Sequence, residues 1–427
     1  MSGVQGVVGG SRGRRTARRT GFGGVTGPLA WRNLWRNRRR TWLTAGGIGF
    51  AAWLQVFAMS MQDGTFGTMV DNAARLLTGH LQVQRPDYHD DPRLEHVLDD
   101  ATSLREQALR LPGVTAALPR AQAFALAAGE DRSFGAQIMG VDAAAEQRAS
   151  SLPGMVNEGR YLEGSGEAVI GAALARNLGL GVGDELMLVG NAREGGVAAA
   201  VARVVGVFST GIAELDRGLV QIPIDDFRQA WNLRADQIHA LVVLLDRTGR
   251  STSVARALAG PGRAVLDWTE LTPELVQAVE LKRVGAQLFF ALVAVIVTFS
   301  VVNTFMMTVF ERTPEFGMLM ALGMRPAAIA RQLCGEALCM ALLGLVLGLG
   351  SAALLVAVLA AVGVPLPADV EDVLVRYKLP ERIYPVFSWG AAATACIVLL
   401  LGTQLAALVP ALRVLRLRPV QALRAME

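Results

Sequence analysis

Few side chains in this chain are spaced to do chemistry. A phosphate-binding loop needs G-x-x-x-x-G-K-[ST], because its lysine reaches the β- and γ-phosphates and its hydroxyl holds magnesium. The sequence has only Lys282, followed by Arg283, and Lys378, followed by Leu379. Neither fits, so the chain carries no P-loop ATPase domain, and an ATP-driven role needs a separate subunit to bind ATP and Mg²⁺. His80, His89 and His96 lie near Asp87, Asp90 and Asp91. Their spacing matches no standard zinc pattern, so a solvated acidic loop is expected and no metal or other cofactor is assigned. Neither a G-x-S-x-G elbow nor an H-E-x-x-H helix occurs in the outer domain, 79–269, which argues weakly against a membrane-anchored hydrolase. No catalytic residue is assigned. Cys334, Cys339 and Cys396 all lie in apolar stretches and read as small apolar filler.

One segment does combine charge, glycine and apolar periodicity: ERTPEFGMLMALGMRPAAIARQLCGEAL, from Glu311 to Leu338. Glu315 to Leu322 reads as a short helix with Gly323 as its C-cap. Phe316, Leu319 and Met320 share one face, and such a helix at a membrane surface can lay that face into a groove on a partner. A plain connector between two spans is the other reading of the same composition. Glu336 is an acid at the edge of an apolar stretch, where ionisable groups are costly. It lies about one turn past Arg331, and a snorkelling or locally paired glutamate is preferred to a proton relay. Further on, Gly344 and Gly348 form a G-x-x-x-G, which lets helix backbones approach closely. The contact lies either within one subunit or across a dimer.

The surroundings of this segment read as membrane. Only 18% of the 427 residues are charged, against roughly 25% for a soluble protein, and the mean hydropathy is +0.37. Four stretches lack charge: Thr41 to Gln62, Val284 to Phe310, Ala337 to Ala368, and Ile383 to Leu412. Each reaches the roughly 20 residues that cross about 30 Å of hydrocarbon. The four transmembrane helices are assigned to 41–62, 283–310, 329–363 and 385–410, with 63–282 between the first two.

Arginine sets the orientation. Ten of the first 40 residues are Arg, ending in Arg38-Arg39-Arg40, and Arg312, Arg325, Arg331, Arg413, Arg416, Arg418 and Arg424 flank the later spans. Positive flanks stay on the cytoplasmic side. Both termini and the 311–328 loop are therefore expected inside, and 63–282 and 364–384 outside. No helix-turn-helix, zinc or RNA-binding signature accompanies the base, so nucleic acid is not an expected partner. Residues 1–27 read as a disordered basic tail, and 28–40 as an interfacial amphipathic helix with Trp31 and Trp35 at headgroup level. The first span reads as an uncleaved anchor, and 411–427 as a cytoplasmic tail.

Outside, helical spacing continues past the first span through Leu76 and precedes the second through Val276, predicting two stalk helices that pack on each other. Between them, HLQVQ, SFGAQIMGV, EAVIG, DELMLVG, VARVVGVF and HALVVLL read as strands. LEHVLDDATSLREQALRL, AALARNLGL and VARALAG read as helices. The fold class is thus four transmembrane α-helices with a large mixed α+β extracytoplasmic domain inserted between helices 1 and 2.

The Glu311–Leu338 segment resembles the R-x-x-E-F/I-G-x-x-x-A-L-G motif of ABC-transporter permeases of the MacB/LolC/LolE/FtsX type. The matching positions are Arg312, Glu315, Phe316, Gly317, Ala321, Leu322 and Gly323, with Glu336 on the next helix. The basic ending with Pro410, Arg413, Pro419 and Arg424 is similar too, as are WRNLWRNRRRT and GHLQVQ. The resemblance implies that Arg312, Glu315, Phe316, Gly317, Leu319, Met320, Leu322 and Gly323 couple to an ABC ATPase subunit, with Phe316 in its groove. It further implies pairing with a second permease subunit, contact with membrane lipid, and relay of ATPase closure to the outer domains for export or extraction, lipoprotein release among such tasks. A periplasmic partner protein belongs to the same set of expectations. An FtsX-like regulator of an extracytoplasmic cell-wall hydrolase is the alternative, and the size of the outer domain disfavours it. The chain departs from MacB in lacking a fused ATPase domain.

The arginine asymmetry has a direct test. Cysteines introduced at exposed positions within 79–269 should react with a membrane-impermeant thiol reagent in intact cells after outer-membrane permeabilisation. Protection of that entire region would overturn the topology.

Overall fold

The computed structural model describes residues 38–365 and 382–416. The expectations for 1–27, for 28–37 of the interfacial helix, for most of the 364–384 loop and for the end of the basic tail lie outside the described residues. Arg38–Arg40 form the described start of a long helix, α1 (Arg38–Ala73), which continues into a π-helical turn, Ala74–Thr78. The chain divides into two compact units: Met59–Gln287 with Val356–Phe387, and Leu288–Leu355 with Met1–Ala58 and Ser388–Glu427.

The first of these units is built on one ten-stranded sheet. In chain order its elements are β1 (Leu81–Gln84), α2 (Ala101–Leu109), β2 (Val114–Ala128), β3 (Ser133–Val141), α3 (Ala143–Ala149), β4 (Val156–Gly159), β5 (Glu167–Gly171), α4 (Ala172–Leu178), β6 (Glu185–Asn191) and β7 (Val197–Phe208). Then follow α5 (Ala213–Gly218), β8 (Leu219–Pro223), α6 (Ile224–Trp231), β9 (Ala240–Leu245), α7 (Ser251–Leu258), β10 (Ala264–Asp267) and α8 (Trp268–Leu271). The sheet order is β10-β1-β9-β2-β3-β8-β5-β7-β4, with β6 bridging β2 and β7. β3–β8 and β5–β7 are parallel and the other pairs antiparallel.

The six strands expected from period-two and apolar runs are present. β9 is buried at every position, as a strand covered on both faces must be. β2 was not expected: VTAALPRAQAFALAA is alanine-rich and interrupted by Pro119 and Arg120, and strand propensity there is weak. Its extended form comes from pairing with β3 and β9 on its two sides. The helix expected over LEHVLDDATSLREQALRL is shortened to α2. Asp100 adopts a left-handed φ of 62°, and Leu98 instead bridges Ile238.

The two sheet faces are covered differently. On one, Leu81, Val83, Ile138, Leu241 and Val243 pack with Leu104 of α2, Phe227 and Trp231 of α6, and Leu258 of α7. On the other, Met139 and Val141 pack with Leu152, Phe208 and Leu76, and Leu118, Val242 and Leu244 with Ala145 of α3 and Ala74. The end of α1 is thus part of the second face's core. His239, buried at 0% exposure, is a structural residue. Its Nδ1 accepts from the Gln122 amide at 3.0 Å, so Nε2–H donates to the Leu94 carbonyl at 3.1 Å. Burial holds its pKa down to about 4, which keeps the ring neutral in the fold.

The other unit is helical. α9 (Pro273–Ala321) enters it from the outer unit, and α10 (Pro326–Val362) and α11 (Trp389–Leu415) complete it. Among the described residues, four helices are long and apolar enough to cross a membrane: Arg38–Thr78 (41 residues), Pro273–Ala321 (49), Pro326–Val362 (37) and Trp389–Leu415 (27). At 1.5 Å per residue the first two measure roughly 60 and 75 Å, about twice the hydrocarbon thickness. Val364–Pro365 pairs with Arg382–Ile383 in the outer unit as a two-stranded ribbon.

Glycine sets how closely α1 and α10 approach. A methyl group on Gly348 would lie 2.2 Å from the Gly49 carbonyl oxygen, and one on Gly344 2.5 Å from that of Ala45. The G-x-x-x-G therefore packs within one subunit, which leaves no need of a dimer to explain it. Gly348→Val should separate these helices at a cost of about 1–3 kcal/mol, read as a lower unfolding temperature in detergent. Gly350→Val, whose added carbon meets nothing within 4 Å, should be close to neutral. Equal behaviour of the two variants would show that the contact contributes nothing.

Candidate functional site

Two arrangements bring the remaining charged and motif residues together, one in each unit. The first lies at the end of α9. Arg312 Nη1 reaches Glu336 of α10 at 3.3 Å, and its Nε reaches Glu315 at 3.1 Å. The guanidinium also stands over the Phe316 ring, 5.3 Å from its centroid. The Arg312 and Glu336 side chains are only 13% and 6% exposed, so the pair joins α9 to α10 with little solvent screening. Gln332 adds a bond to Glu336 at 3.4 Å. Glu336 is locally paired, with Arg312 and not through Arg331. A second ion pair, Arg40 with Glu311 at 3.2 Å, ties the start of α1 to α9.

Among the described residues, Glu315–Ala321 is the last part of α9 and not a helix of its own. α9 runs without a break through Pro314 to Ala321. It ends in a Schellman motif: Gly323 adopts φ +94°, Met324 N–H bonds Leu319 O and Gly323 N–H bonds Met320 O, both at 3.0 Å. Pro326 then opens α10, where a missing N–H is harmless. The face expected to meet a partner is also corrected. Phe316 is 2% exposed, Met320 is 9% exposed and Gly317 is buried, because this face packs inside the chain's own helices. Leu319 is half-buried. The opposite side carries the free apolar surface, with Met318 at 55% and Leu322 at 80% exposure. Glu315 stands at its edge, half-exposed.

The second arrangement fastens the end of α1 into the outer domain, and sequence reading missed it. Arg120 of β2 and Glu146 of α3 form a bidentate pair, Nε–Oε1 2.7 Å and Nη2–Oε2 3.1 Å, with both side chains 1% exposed. The remaining guanidinium nitrogen, Nη1, donates to the Leu77 carbonyl oxygen in the π-helical turn. One buried cation thus satisfies both an acid on the sheet-packed helix and a carbonyl left open at a helix end. Ser151 N–H bonds the Arg75 carbonyl at 3.1 Å. His80 Nδ1 accepts from Leu245 N–H at 3.2 Å, so its Nε2–H faces Asp71 Oδ1 at 3.3 Å.

Of the two expected stalk residues, Leu76 is 8% exposed and buried in the core with Met139, Val141 and Phe208, so it anchors the end of α1 to the domain. Val276 is half-buried in the first turn of α9. The signal for Arg120 was available: an arginine inside an apolar, alanine-rich run needs a buried acid. Nothing local in the sequence names Glu146 as that acid.

Removing one member of a buried pair strands the other charge, at a cost of about 3–5 kcal/mol. Glu146→Ala should therefore destabilise the outer domain by that order, measured by denaturant unfolding followed through Trp231 and Trp268 fluorescence. Arg120→Met with Glu146→Leu should cost clearly less than the single change. A single variant as stable as wild type would remove the pair from any structural role.

Comparison with known proteins covers both units. Residues 41–260 match the family described as MacB-like periplasmic core domain, and residues 288–419 match FtsX-like permease C-terminal. The lipoprotein-releasing system transmembrane protein LolC of Neisseria meningitidis serogroup B is 26% identical over 230 residues, 51% of this chain and 55% of that protein. The chain thus spans little more than half the length of that relative. LolC of Xylella fastidiosa strain 9a5c is 25% identical over 342 residues, 74% of this chain and 79% of that one. Among solved structures, the periplasmic region of MacB from Actinobacillus actinomycetemcomitans aligns with 47% of this chain and 92% of its own at 12% identity and a TM-score of 0.35. The extracellular domain of YknZ from Gram-positive bacteria aligns with 44% and 99%, at 14% identity and a TM-score of 0.33. With its first half matched by the MacB core family and its last spans by the FtsX family, the chain belongs to the MacB/LolC/FtsX family of multi-pass ABC-transporter permeases.

Proposed function

We propose that this chain is a non-catalytic permease subunit of the cytoplasmic (inner) membrane, with both termini inside. It converts ATP hydrolysis by a separate ATPase subunit into movement of its outer domain. ATP and Mg²⁺ belong to that partner. A second permease subunit completes the membrane portion, and extraction of a substrate at the outer leaflet or periplasm is the task, with lipoprotein release favoured by the two LolC relatives.

The observation that carries this reading is the unbroken course of α9 over 49 residues from Pro273 to Ala321. A helix is stiff along its axis, so movement imposed at Ala321 is passed along α9, with Pro314, where one backbone hydrogen bond is missing, as its most yielding point. Arg312, held to Glu336, makes the end of α9 move with α10. On the outer side, the Arg120 contact to Leu77 makes the domain follow the end of α1. The ATPase docks on the exposed side of the α9 terminus, with Met318 and Leu322 as apolar anchors and Glu315 at the rim.

Met318→Asp combined with Leu322→Asp should weaken pull-down of the ATPase subunit by roughly tenfold or more, since charge is placed in an apolar contact. The outer domain should keep its protease resistance. Phe316→Ala, in contrast, should lower the stability of the helical unit, because it opens a cavity in packed helices. Undiminished ATPase association in the double variant would rule out this face as the docking surface.

A further inference from the structure

A cleft of about 250 Å³ opens on the outer-domain face that also receives the end of α1. Its floor is made by carboxamides from three strands: Gln82 and Gln84 of β1, Gln122 of β2 and Gln137 of β3. Register explains the convergence. Gln84 stands opposite Ala240, which stands opposite Arg120, two residues from Gln122 on the same face. Gln137 pairs with Phe124. Tyr88 Oη donates to Gln122 Oε1 at 3.3 Å, and Gln137 Nε2 donates to the same oxygen at 3.0 Å. Burial pushes the Tyr88 phenol well above its ordinary pKa, so it stays a donor. Gln84 is different: it is 1% exposed, and its Nε2 is a buried donor with no acceptor among the described residues. A donor left so costs stability, and its residue lines the cleft. The rim is apolar, with Phe124 at 71% exposure beside Leu77 and Leu271. Among the described residues that line the cleft none is Lys, Arg, Asp or Glu, and His89 is its one basic side chain.

We propose that this cleft binds an uncharged, extended polypeptide segment, with a backbone carbonyl on the Gln84 amide and an apolar side chain against Phe124. The lack of Lys or Arg among the lining residues argues against a phosphate headgroup, which a lone imidazole would not hold. Carboxamides suit a peptide because each offers both a donor and an acceptor to its backbone. Gln82 and Gln84 repeat at two residues along a strand, roughly 7 Å, the spacing of same-facing carbonyls in an extended chain. The inference is independent of the ATPase reading, since nothing in it involves the end of α9.

The test uses the full chain in nanodiscs of neutral phospholipid, with a fluorescent acetyl-(Ser-Val)₃-amide as probe and anisotropy as readout. Binding should be saturable. It should weaken about tenfold in Gln84→Leu, the scale of one hydrogen bond to a buried group, and by several-fold in Phe124→Ser. An acetyl-(Asp-Val)₃-amide should bind roughly tenfold less well, because the cleft has nothing to offset a buried charge. Without peptide, Gln84→Leu should unfold at the same or a higher temperature than wild type. Equal peptide binding by wild type and Phe124→Ser would overturn the proposal even if Gln84→Leu failed to fold. So would a short-chain anionic phospholipid that displaces the probe at lower concentration than unlabelled peptide does.

Discussion

A guanidinium buried beneath the outer sheet, that of Arg120, is the interaction on which the outer unit's link to α1 depends. Taking such a charge out of water is costly, and three sets of atoms offset it: both oxygens of Glu146 and the carbonyl of Leu77. The guanidinium and its acceptors sit on three elements, β2, α3 and the π-helical turn. The charge cannot be satisfied unless all three are in place, so sheet, covering helix and helix terminus are fixed together. Leu76 and Ala74 then enter the apolar face as ordinary core. The end of α1 is not a strut leaning on a domain; it is part of that domain's interior.

The helical unit answers to a different constraint. Lipid offers no hydrophobic drive for helices to associate, so close contact has to supply it. Gly49, Gly344 and Gly348 bring the backbones of α1 and α10 together. Charge adds two further links: Arg312–Glu336 joins α9 with α10, and Arg40–Glu311 joins the start of α1 with α9. Motif residues that suggest partner recognition thus spend their side chains within the chain. Phe316 and Met320 have the same fate, and the surface left for a partner is the face that carries Met318 and Leu322.

The cleft lined by Gln84, Gln122 and Gln137 shows how the two kinds of constraint meet. The same sheet face that buries the end of α1 leaves a polar hollow beside it, where Tyr88, Gln122 and Gln137 bond one another and the Gln84 amide nitrogen finds no acceptor among the described residues. Core burial and a partly unsatisfied polar site lie a few residues apart on the same strands, Arg120 next to Gln122 on β2 and Met139 next to Gln137 on β3.

Composition alone marked four stretches as transmembrane helices, because the absence of charge over some 20 residues has no cheap alternative in water. Arginine placement determined the expected orientation, and alternation marked six of the strands. These are local properties, legible from neighbours in sequence. Tertiary structure decided what depends on partners far along the chain. β2 is a strand because β3 and β9 hold it, against its own alanine-rich composition. Helical period put Phe316, Leu319 and Met320 on one face, but whether that face turned inward or outward depended on α10 and the other helices. The G-x-x-x-G announced close packing without naming its partner, since small residues fit any backbone; α1 supplied it. Arg120 found Glu146 26 residues away, a pairing that no spacing rule encodes and that only a closed core, by excluding water, makes obligatory.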